Sequence, residues 1–549
     1  MQPFTLRVLT ICMEKSWPKV ELKCLHRPPE GFYTRFVEDW LNGSDGPESV
    51  FPRKHFSVEH LKNSYGFYDK ARRDELCEVL LRQCKHVGML PTATLNNIKL
   101  LGDENTFCIT TGQQLHIFLG PQLILYKIWS VIRQARRLSQ KQPNYRFVPV
   151  FWMAGEDHDL DEIDHVKLFQ NNYRWNLEER KGGSAGRLAT AGLGELVSSM
   201  RHNHHLAEGG LLDVFDHFYK SSQNFADATQ ALLLHFFGDE GLVVVNPDDA
   251  VLKRHLAELV RKDLEGDALN EALLKGSDRL KKAGYKPAIG NRSTQLFLFE
   301  EGKRMRLDRN GDDFLLMPEN REVSQESLLK RLENNPEDFS PNALMRPLYQ
   351  QLILPNAGYV CGPAELFYWH QLHNAFTEFE IPVPLLFLRD SFCFSDKASA
   401  GYIEKLNMED FELWEGYEKA ANRLRNKLFE NLNLEQKILN IENAFEVLFE
   451  SLHKAGSSDL KALRKMSKSL LLSLNEELKT VNAGIQQKGQ YAHLFQRLEK
   501  LNSQIFNREN AQERVECVIT YYLKLGNLLY PQGYTNREEE HLFGRLSEL

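Results

Sequence analysis

Residues 105–155 constrain the fold of this chain more than any other stretch. "NTFCITTGQQ" (105–114) reads as a buried strand that runs into polar residues. A helix is expected from about 121 to 139, and "YRFVPVFWMAG" (145–155) is a second buried strand. Strand, helix and strand in so short a span predict a βαβ unit, and hence parallel strands with a helix across one face. "GLVVVNPDD" (241–249) adds a third strand. All three strands end in polar or acidic residues, at the end where open parallel sheets hold ligands. The expected class is α/β, with a doubly covered parallel sheet at its centre.

The 549 residues are too many for one core, so this sheet has neighbours. "STQLFLFEEGKRMRLDRNGDDFLLM" (293–317) alternates apolar and polar residues on both sides of Asn310-Gly311. That pattern predicts small antiparallel strands joined by a tight turn. They belong to an insert expected over about 170–340 within a core spanning 1–395. "YVCGPAELFYWHQL" (359–372) and "PVPLLFLRDSF" (382–392) return to core texture. From 396 to 510 the expectation is nearly all helix. Ile438, Ile441, Phe445, Leu448 and Leu452 recur three and four residues apart, as do Leu460, Leu463, Ser467, Leu470 and Leu474. Gly456-Ser457-Ser458 separates the two runs, and Leu494, Leu498, Leu501 and Ile505 form a third. A helical bundle or an extended coiled-coil arm fits this spacing, and the glutamate- and lysine-rich outer faces favour an arm that dimerises. Residues 511–549 are expected to return to the core.

Thr110, Thr111, Gly112, Gln113 and Gln114 are expected in a tight turn between the first strand and the helix. Glycine permits close approach of a ligand to the backbone. Glutamine amides donate and accept, which suits hydroxyls, amides and carboxylates. Gly120-Pro121 and Gly362-Pro363 each open a helix, whose first amides favour an anion. Both pairs are also ordinary loop punctuation. Neither a Walker lysine nor a dinucleotide fingerprint is present. "FWMAGEDHDLDEIDH" (151–165) is the densest chemical cluster. Glu156, Asp157, His158 and Asp159 follow a strand directly, and can serve as a general base, a cation site, metal ligands or a helix cap. His158 and His165 would share a face on a helix. No HExxH-type spacing accompanies them.

The net charge of −7 gives nucleic-acid binding no global support. The eight cysteines form no CxxC pair, as expected for reduced thiols in a cytoplasmic protein. "FTLRVLTICM" (4–13) is interrupted by Arg7 and lacks a signal-peptide pattern. No apolar run approaches the roughly 18 residues of a membrane helix. Lys465-Met466-Ser467-Lys468-Ser469 matches the KMSKS motif with which class I aminoacyl-tRNA synthetases grip ATP. Here it sits in the middle of a heptad run, and no HIGH motif accompanies it, so it is read as coincidence.

"TGQQLHIFLGPQLILYK", "PVFWMAGEDHDLDEIDHV", "GLVVVNPDD", "SPNALMRPLYQQLILPNAGYVCGPAELFYWHQL" and the C-terminal "YPQGYTNRE" resemble, in order and spacing, the BshC family of bacillithiol synthesis. The resemblance runs from about 105 to 395 and resumes at 529–539. It implies a Rossmann-like core with connecting-peptide insertions and a coiled-coil arm that makes a homodimer. It implies joining cysteine to the amino sugar of glucosaminyl-malate, and it makes ATP or another nucleotide a candidate cofactor; the amide itself requires an activated carboxyl group, most simply an acyl-adenylate. No permanent metal, nucleic acid or membrane is implied. Within that reading Asp157 and His158 are the expected catalytic pair, able to take the proton of the attacking amine. Thr111, Gly112, Gln113, Gln114, Gly120, Pro121, Arg346, Asn356, Gly362, Pro363 and Glu365 are expected to bind substrate. Arg389, also a candidate for malate, and Gly533 are assigned to the nucleotide. The rival readings are a metal-assisted hydrolase built on 156–165 and a scaffold whose core only binds a ligand.

Overall fold

A computed structural model describes residues 20–25, 28–44, 67–169, 171–177, 182–206, 210–287, 289–290, 292–429, 434–454, 460–488, 491–507, 511–525, 531 and 534–548. The chain divides into two compact units, Met1–Phe392 with Glu513–Leu549, and Cys393–Gln512. Gly533 and Gly456–Ser458 lie outside the described residues.

The first unit opens its core with strand β1 (Thr106–Gln114), helix α1 (Gln122–Lys141), strand β2 (Arg146–Ala154) and strand β3 (Val243–Val245). Next come the strands β4 (Leu296–Glu300), β5 (Lys303–Asn310), β6 (Asp313–Met317), β7 (Arg321–Val323) and β8 (Phe339–Pro341). Helix α2 (Arg346–Ile353), strand β9 (Asn356–Cys361), helix α3 (Pro363–Gln371) and strand β10 (Leu385–Leu388) return to the core.

The core sheet has the order β10-β9-β1-β2-β3, and its pairings are all parallel. This is the expected Rossmann-like α/β class. The chain runs from β1 outward to β3, then crosses back to lay β9 on the other side of β1. The strand order therefore reverses between β1 and β9, and ligands bind at the carboxyl ends flanking such a reversal. Phe107 to Thr111 are wholly buried, as the β-branched and aromatic composition of a doubly covered strand requires.

The polar run is not in a turn, as the sequence suggested. Gly112, Gln113 and Gln114 still pair with Trp152, Met153 and Ala154 of β2. The turn comes later, where Phe118, Leu119 and Gly120 all have left-handed backbones, with φ of 54°, 59° and 67°. A Cβ on Gly120 would lie 2.6 Å from the Cβ of His116, so glycine is required there. For Phe118 and Leu119 this conformation costs roughly 1–2 kcal/mol each. Their side chains are buried, and the Phe118 N–H donates to the Tyr219 hydroxyl at 2.7 Å.

Helix α1 is buried on nearly every side over its first four turns. Its apolar residues cover β1 and β2, each contributing about 1.5–3 kcal/mol on full burial. Its other face receives the C-terminal segment: Arg133 pairs with Asp390 at 2.8 Å and donates to backbone carbonyls of Arg537 and Glu540. Beyond that contact, the strand Phe543–Glu548 pairs antiparallel with Val20–Leu25.

The insert expected over 170–340 is divided in two by β3. Residues 155–242 carry helices and the small hairpin His165–Leu168 with Asn171–Arg174. Residues 246–355 carry an antiparallel sheet of order β7-β6-β5-β4-β8. Asn310 pairs with Asp313 across the tight Gly311-Asp312 turn.

The second unit contains α4 (Leu434–Lys454), α5 (Leu460–Lys488) and α6 (Ala492–Gln504). Helices α4 and α5 meet at Phe449, which is buried, stacks on Phe445 and lies under Arg464. Ser467 is buried in the same seam, but Ile441, Leu448, Leu463, Leu470 and Leu474 are exposed. The expected heptad seam is thus only partly filled within one chain. The KMSKS-like residues lie inside the continuous helix α5, and the Ser467 hydroxyl donates to the Arg464 carbonyl at 3.0 Å. Among the described residues no helix is long and apolar enough to cross a membrane.

Candidate active site

A lysine within the apolar first turns of α1 organises the switch point. Lys127 of α1 is 3% exposed, and its ammonium donates to the Gly112 carbonyl and to the Gln113 Oε1, both at 2.8 Å. It is also ion-paired with Glu365 of α3. Glu365 in turn accepts from the Gly362 N–H and from the Tyr359 hydroxyl, both at 2.8 Å. Burial alone would push the Glu365 carboxyl up, but Lys127 and these donors outweigh it and hold it below the usual range. One cluster thus ties the ends of β1 and β9 to the start of α3.

The acidic loop after β2 closes the other side. The Gln114 Nε2 donates to the Asp157 Oδ2 at 2.6 Å and to the Glu162 Oε2 at 2.8 Å. The Asp157 Oδ1 accepts the His158 backbone N–H at 2.8 Å. Burial raises the Asp157 pKa, yet the Gln114 bond, the Arg304 guanidinium and the loop amides together leave it lowered, so the carboxylate stays ionised. His158 receives an N–H of Arg304 on Nδ1 at 3.2 Å. Burial and the Arg304 charge lower the His158 pKa against the opposing pull of Asp157 and Asp159, so the ring is neutral near pH 7. Glu156 is taken up by buried Lys253, which also donates to the Phe339 carbonyl at 2.6 Å.

Apart from Lys253 and Phe339, these residues line one cavity of about 930 Å³, within the range of small-molecule sites. Trp152, Phe297, Tyr359 and Tyr368 give it apolar and aromatic walls. Arg292, Arg346 and Arg514 also line it. Among the described residues none of the three has a carboxylate within 4.0 Å, whereas Arg304 lies 3.8 Å from Asp157 and Arg389 is paired with Glu513. Arg346 donates to the Gln350 Oε1 at 3.0 Å and to the Tyr359 hydroxyl at 3.4 Å, so its charge is held in place without being neutralised. An ionised Asp157, a neutral imidazole and three guanidinium groups without a carboxylate partner among the described residues suit a polar, anionic ligand bearing an amine.

Residues 20–390 match the family described as "Bacillithiol biosynthesis BshC, N-terminal Rossmann-like domain". The chain belongs to the BshC family. It is therefore a ligase of bacillithiol biosynthesis. A relative from Flavobacterium johnsoniae, named "Putative cysteine ligase BshC", is 32% identical over 92% of this chain and 96% of its own length. Relatives of the same name from Flavobacterium psychrophilum and Bacillus licheniformis are 29% and 28% identical, covering 92% and 89% of this chain and 95% and 93% of their own.

Of the residues singled out in this BshC chain, Gly112, Gln113, Gln114, Asp157, His158, Arg346, Gly362, Pro363, Glu365 and Arg389 border the one cavity. Four lie elsewhere. The Thr111 hydroxyl donates to the Val360 carbonyl at 2.8 Å inside the sheet, and Asn356 is buried against Thr110 and Gln351, each at 2.8 Å. Gly120 and Pro121 do not present a free helix start. The Gln122 N–H donates to the Glu516 carbonyl and the Val518 N–H to the Gly120 carbonyl, both at 2.9 Å. The α3 start is likewise filled, by its own Glu365. Arg389 is buried and held by two bonds to Glu513, at 2.6 and 2.9 Å, so it has no free charge for a nucleotide. His158 and His165 share no helix face, because the helix between them is only Leu160–Ile163. His165 pairs with Asp164 at 3.2 Å and lines a second cavity of about 650 Å³ with Pro121 and Cys517.

Among the described residues no group of three or more His, Cys, Asp or Glu side chains converges as a metal site. The cluster is spent on Lys253, Gln114, Arg304 and Arg174 instead. Sequence reasoning missed Lys127, Arg304, Arg292, Arg514 and Tyr359. Lys127 carried a signal, since a single lysine interrupts the apolar "LILYKIW". Arg304 carried none, because only the insert's folding brings it to the loop.

Proposed function

We propose that this chain forms the amide between the carboxyl group of cysteine and the amino sugar of glucosaminyl-malate, releasing bacillithiol. The carrying observation is one cavity that combines Asp157 and His158 with Arg292, Arg346 and Arg514, three arginines without a carboxylate partner among the described residues. The malate carboxylates suit the arginines, and the sugar hydroxyls suit Gln113 and Gln114. A free carboxylate does not acylate an amine in water, so the cysteine arrives as a mixed anhydride with a phosphate group. Among the described residues these three arginines are the cavity's guanidinium groups without an acidic partner, and they would be divided between the malate carboxylates and the phosphate oxygens of the activating nucleotide.

In the reacting complex the amine lone pair attacks the acyl carbon and the carbonyl pair moves onto oxygen. That pair returns and expels the phosphate with its bonding electrons. The nitrogen is then a protonated amide, acidic enough for a weak carboxylate base to take its proton. Asp157, ionised and beside the cavity, is that acceptor. The exposed apolar residues of α4 and α5 form the face on which a second copy docks, making a homodimer.

The test is direct. Purified protein is incubated with glucosaminyl-malate, cysteine and ATP, and products are read by mass spectrometry. A deletion strain is profiled for thiols in parallel. The reading requires bacillithiol in the first assay, or accumulated glucosaminyl-malate without bacillithiol in the second. A deletion strain with unchanged bacillithiol refutes it.

A further inference from the structure

His158 is held in a state that makes it a poor base and a good hydrogen-bond donor. Arg304 comes from β5 of the second insert, and its guanidinium is 7% exposed. Its Nε donates to the Ser340 Oγ and its Nη2 to the Pro341 carbonyl, both at 2.9 Å. Its plane is supported by the Phe297 ring, with 3.8 Å from the guanidinium carbon to the ring centroid. These contacts aim Nη1 at the Nδ1 of His158, 3.2 Å away. A guanidinium only donates, and it does not lose its proton in proteins. The Nδ1 must therefore carry a lone pair, and a neutral ring then carries its proton on Nε2.

The groups around the ring agree with this state. The Asp157 Oδ1 would favour a proton on Nδ1, but it lies 3.7 Å away, beyond hydrogen-bond reach, and already accepts the His158 backbone N–H. Burial, Arg304 and Arg292 disfavour the imidazolium and together outweigh the opposing charges of Asp157 and Asp159, and the Phe297 ring packs at 5.5 Å between centroids. Among the described residues the Nε2 has no hydrogen-bond partner, and the side chain is 37% exposed on the cavity wall.

We propose that His158 is a neutral Nε2–H donor to the oxygen that gathers negative charge as the amine attacks the activated acyl carbon, and that Arg304 is the positioning residue that fixes this tautomer. The role rests on the amide-forming reading, but the tautomer does not. During attack the carbonyl pair moves to oxygen, the Nε2–H bond to it strengthens, and the proton stays on His158 throughout. The proton released by nitrogen goes to Asp157.

The tautomer is read on the full chain with 15N-labelled histidine, assigning His158 by its loss in His158→Gln. At pH 7 the expected signature is an unprotonated Nδ1 and a protonated Nε2. It should persist in Arg304→Lys, which keeps a donor, and collapse to a mixture in Arg304→Leu. A protonated Nδ1 or an imidazolium in the wild type overturns the proposal. Turnover gives the second arm. The side-chain amide introduced by His158→Gln can donate but cannot take a proton, so this variant should stay within about tenfold of wild type, while His158→Ala should lose roughly a hundredfold or more. Equal losses in the two variants, with both folded, overturn the donor role. If wild type makes no amide at all, the ligase reading fails while the tautomer result still stands.

Discussion

Replacing Gln114 by glutamate keeps the shape of the side chain and removes the donor that holds two carboxylates together. In the wild type one amide nitrogen bonds Asp157 and Glu162, at 2.6 and 2.8 Å. Hydrogen bonds to charged groups contribute about 1.5–3 kcal/mol each when sheltered. Asp157 is 35% exposed and Glu162 is more so, and solvent screening reduces the pair to about 2 kcal/mol in all. If that interaction positions the proton acceptor, kcat/KM for the amino sugar should fall roughly thirtyfold at pH 7. The pH profile should change as well. The Gln114 bond is the foremost influence lowering the Asp157 pKa, and a third carboxylate in its place raises that pKa further. The acid limb of kcat/KM should therefore move to higher pH in Gln114→Glu. Product formation by mass spectrometry from pH 5 to 9, beside a thermal melt, measures both effects. A folded variant with the wild-type rate and an unmoved acid limb would refute the role given to this pair.

Lys127→Met should leave the Glu365 carboxylate buried without its cation and destabilise the first unit by about 3 kcal/mol, and adding Glu365→Gln should recover part of it in urea unfolding. Burial pushes the Asp263 carboxyl up to about 7 despite its bond from the Gln295 N–H. The folded chain thus holds that proton more tightly than the unfolded one, whose value is about 3.9. The resulting stabilisation is complete below about pH 4 and is lost as pH rises through about 7. Asp263→Asn should flatten this loss, which unfolding midpoints at pH 5 and 8 will reveal. Ile441→Asp with Leu448→Asp should give a monomer by light scattering with helix content kept; a dimer with the arm folded would place the interface elsewhere. Lys465→Ala with Lys468→Ala should leave ligation within about twofold, because both residues belong to a continuous helix, and a hundredfold loss without unfolding would assign the KMSKS-like residues to ATP.

Local pattern determined the architecture of this protein wherever neighbouring residues in the chain carry the decision. Phe107 to Ile109 and Phe147 to Met153 are apolar enough to be buried on both faces, and the helix between them forces the strands parallel. The same reasoning marked Gln113, Gln114, Asp157 and His158, because each lies within a few residues of a strand's carboxyl end. Turn placement was less legible. Gly112 and Gly120 both read as loop glycines, yet Gly112 pairs with Trp152 in the sheet and only Gly120 has a left-handed backbone that excludes a side chain. That difference depends on β2 lying alongside. The partners of the charged residues were not legible at all. Arg346 and Arg389 are alike in sequence, yet Glu513, 124 residues beyond Arg389, neutralises one and leaves the other charged. Glu156 meets Lys253, and His158 meets Arg304 from the insert, across 97 and 146 residues. Backbone propensity and hydrophobic burial are read from residues adjacent in the chain. A side chain's charge state and hydrogen-bonding role are set by whichever group is brought within about 3 Å, and only the folded chain decides that.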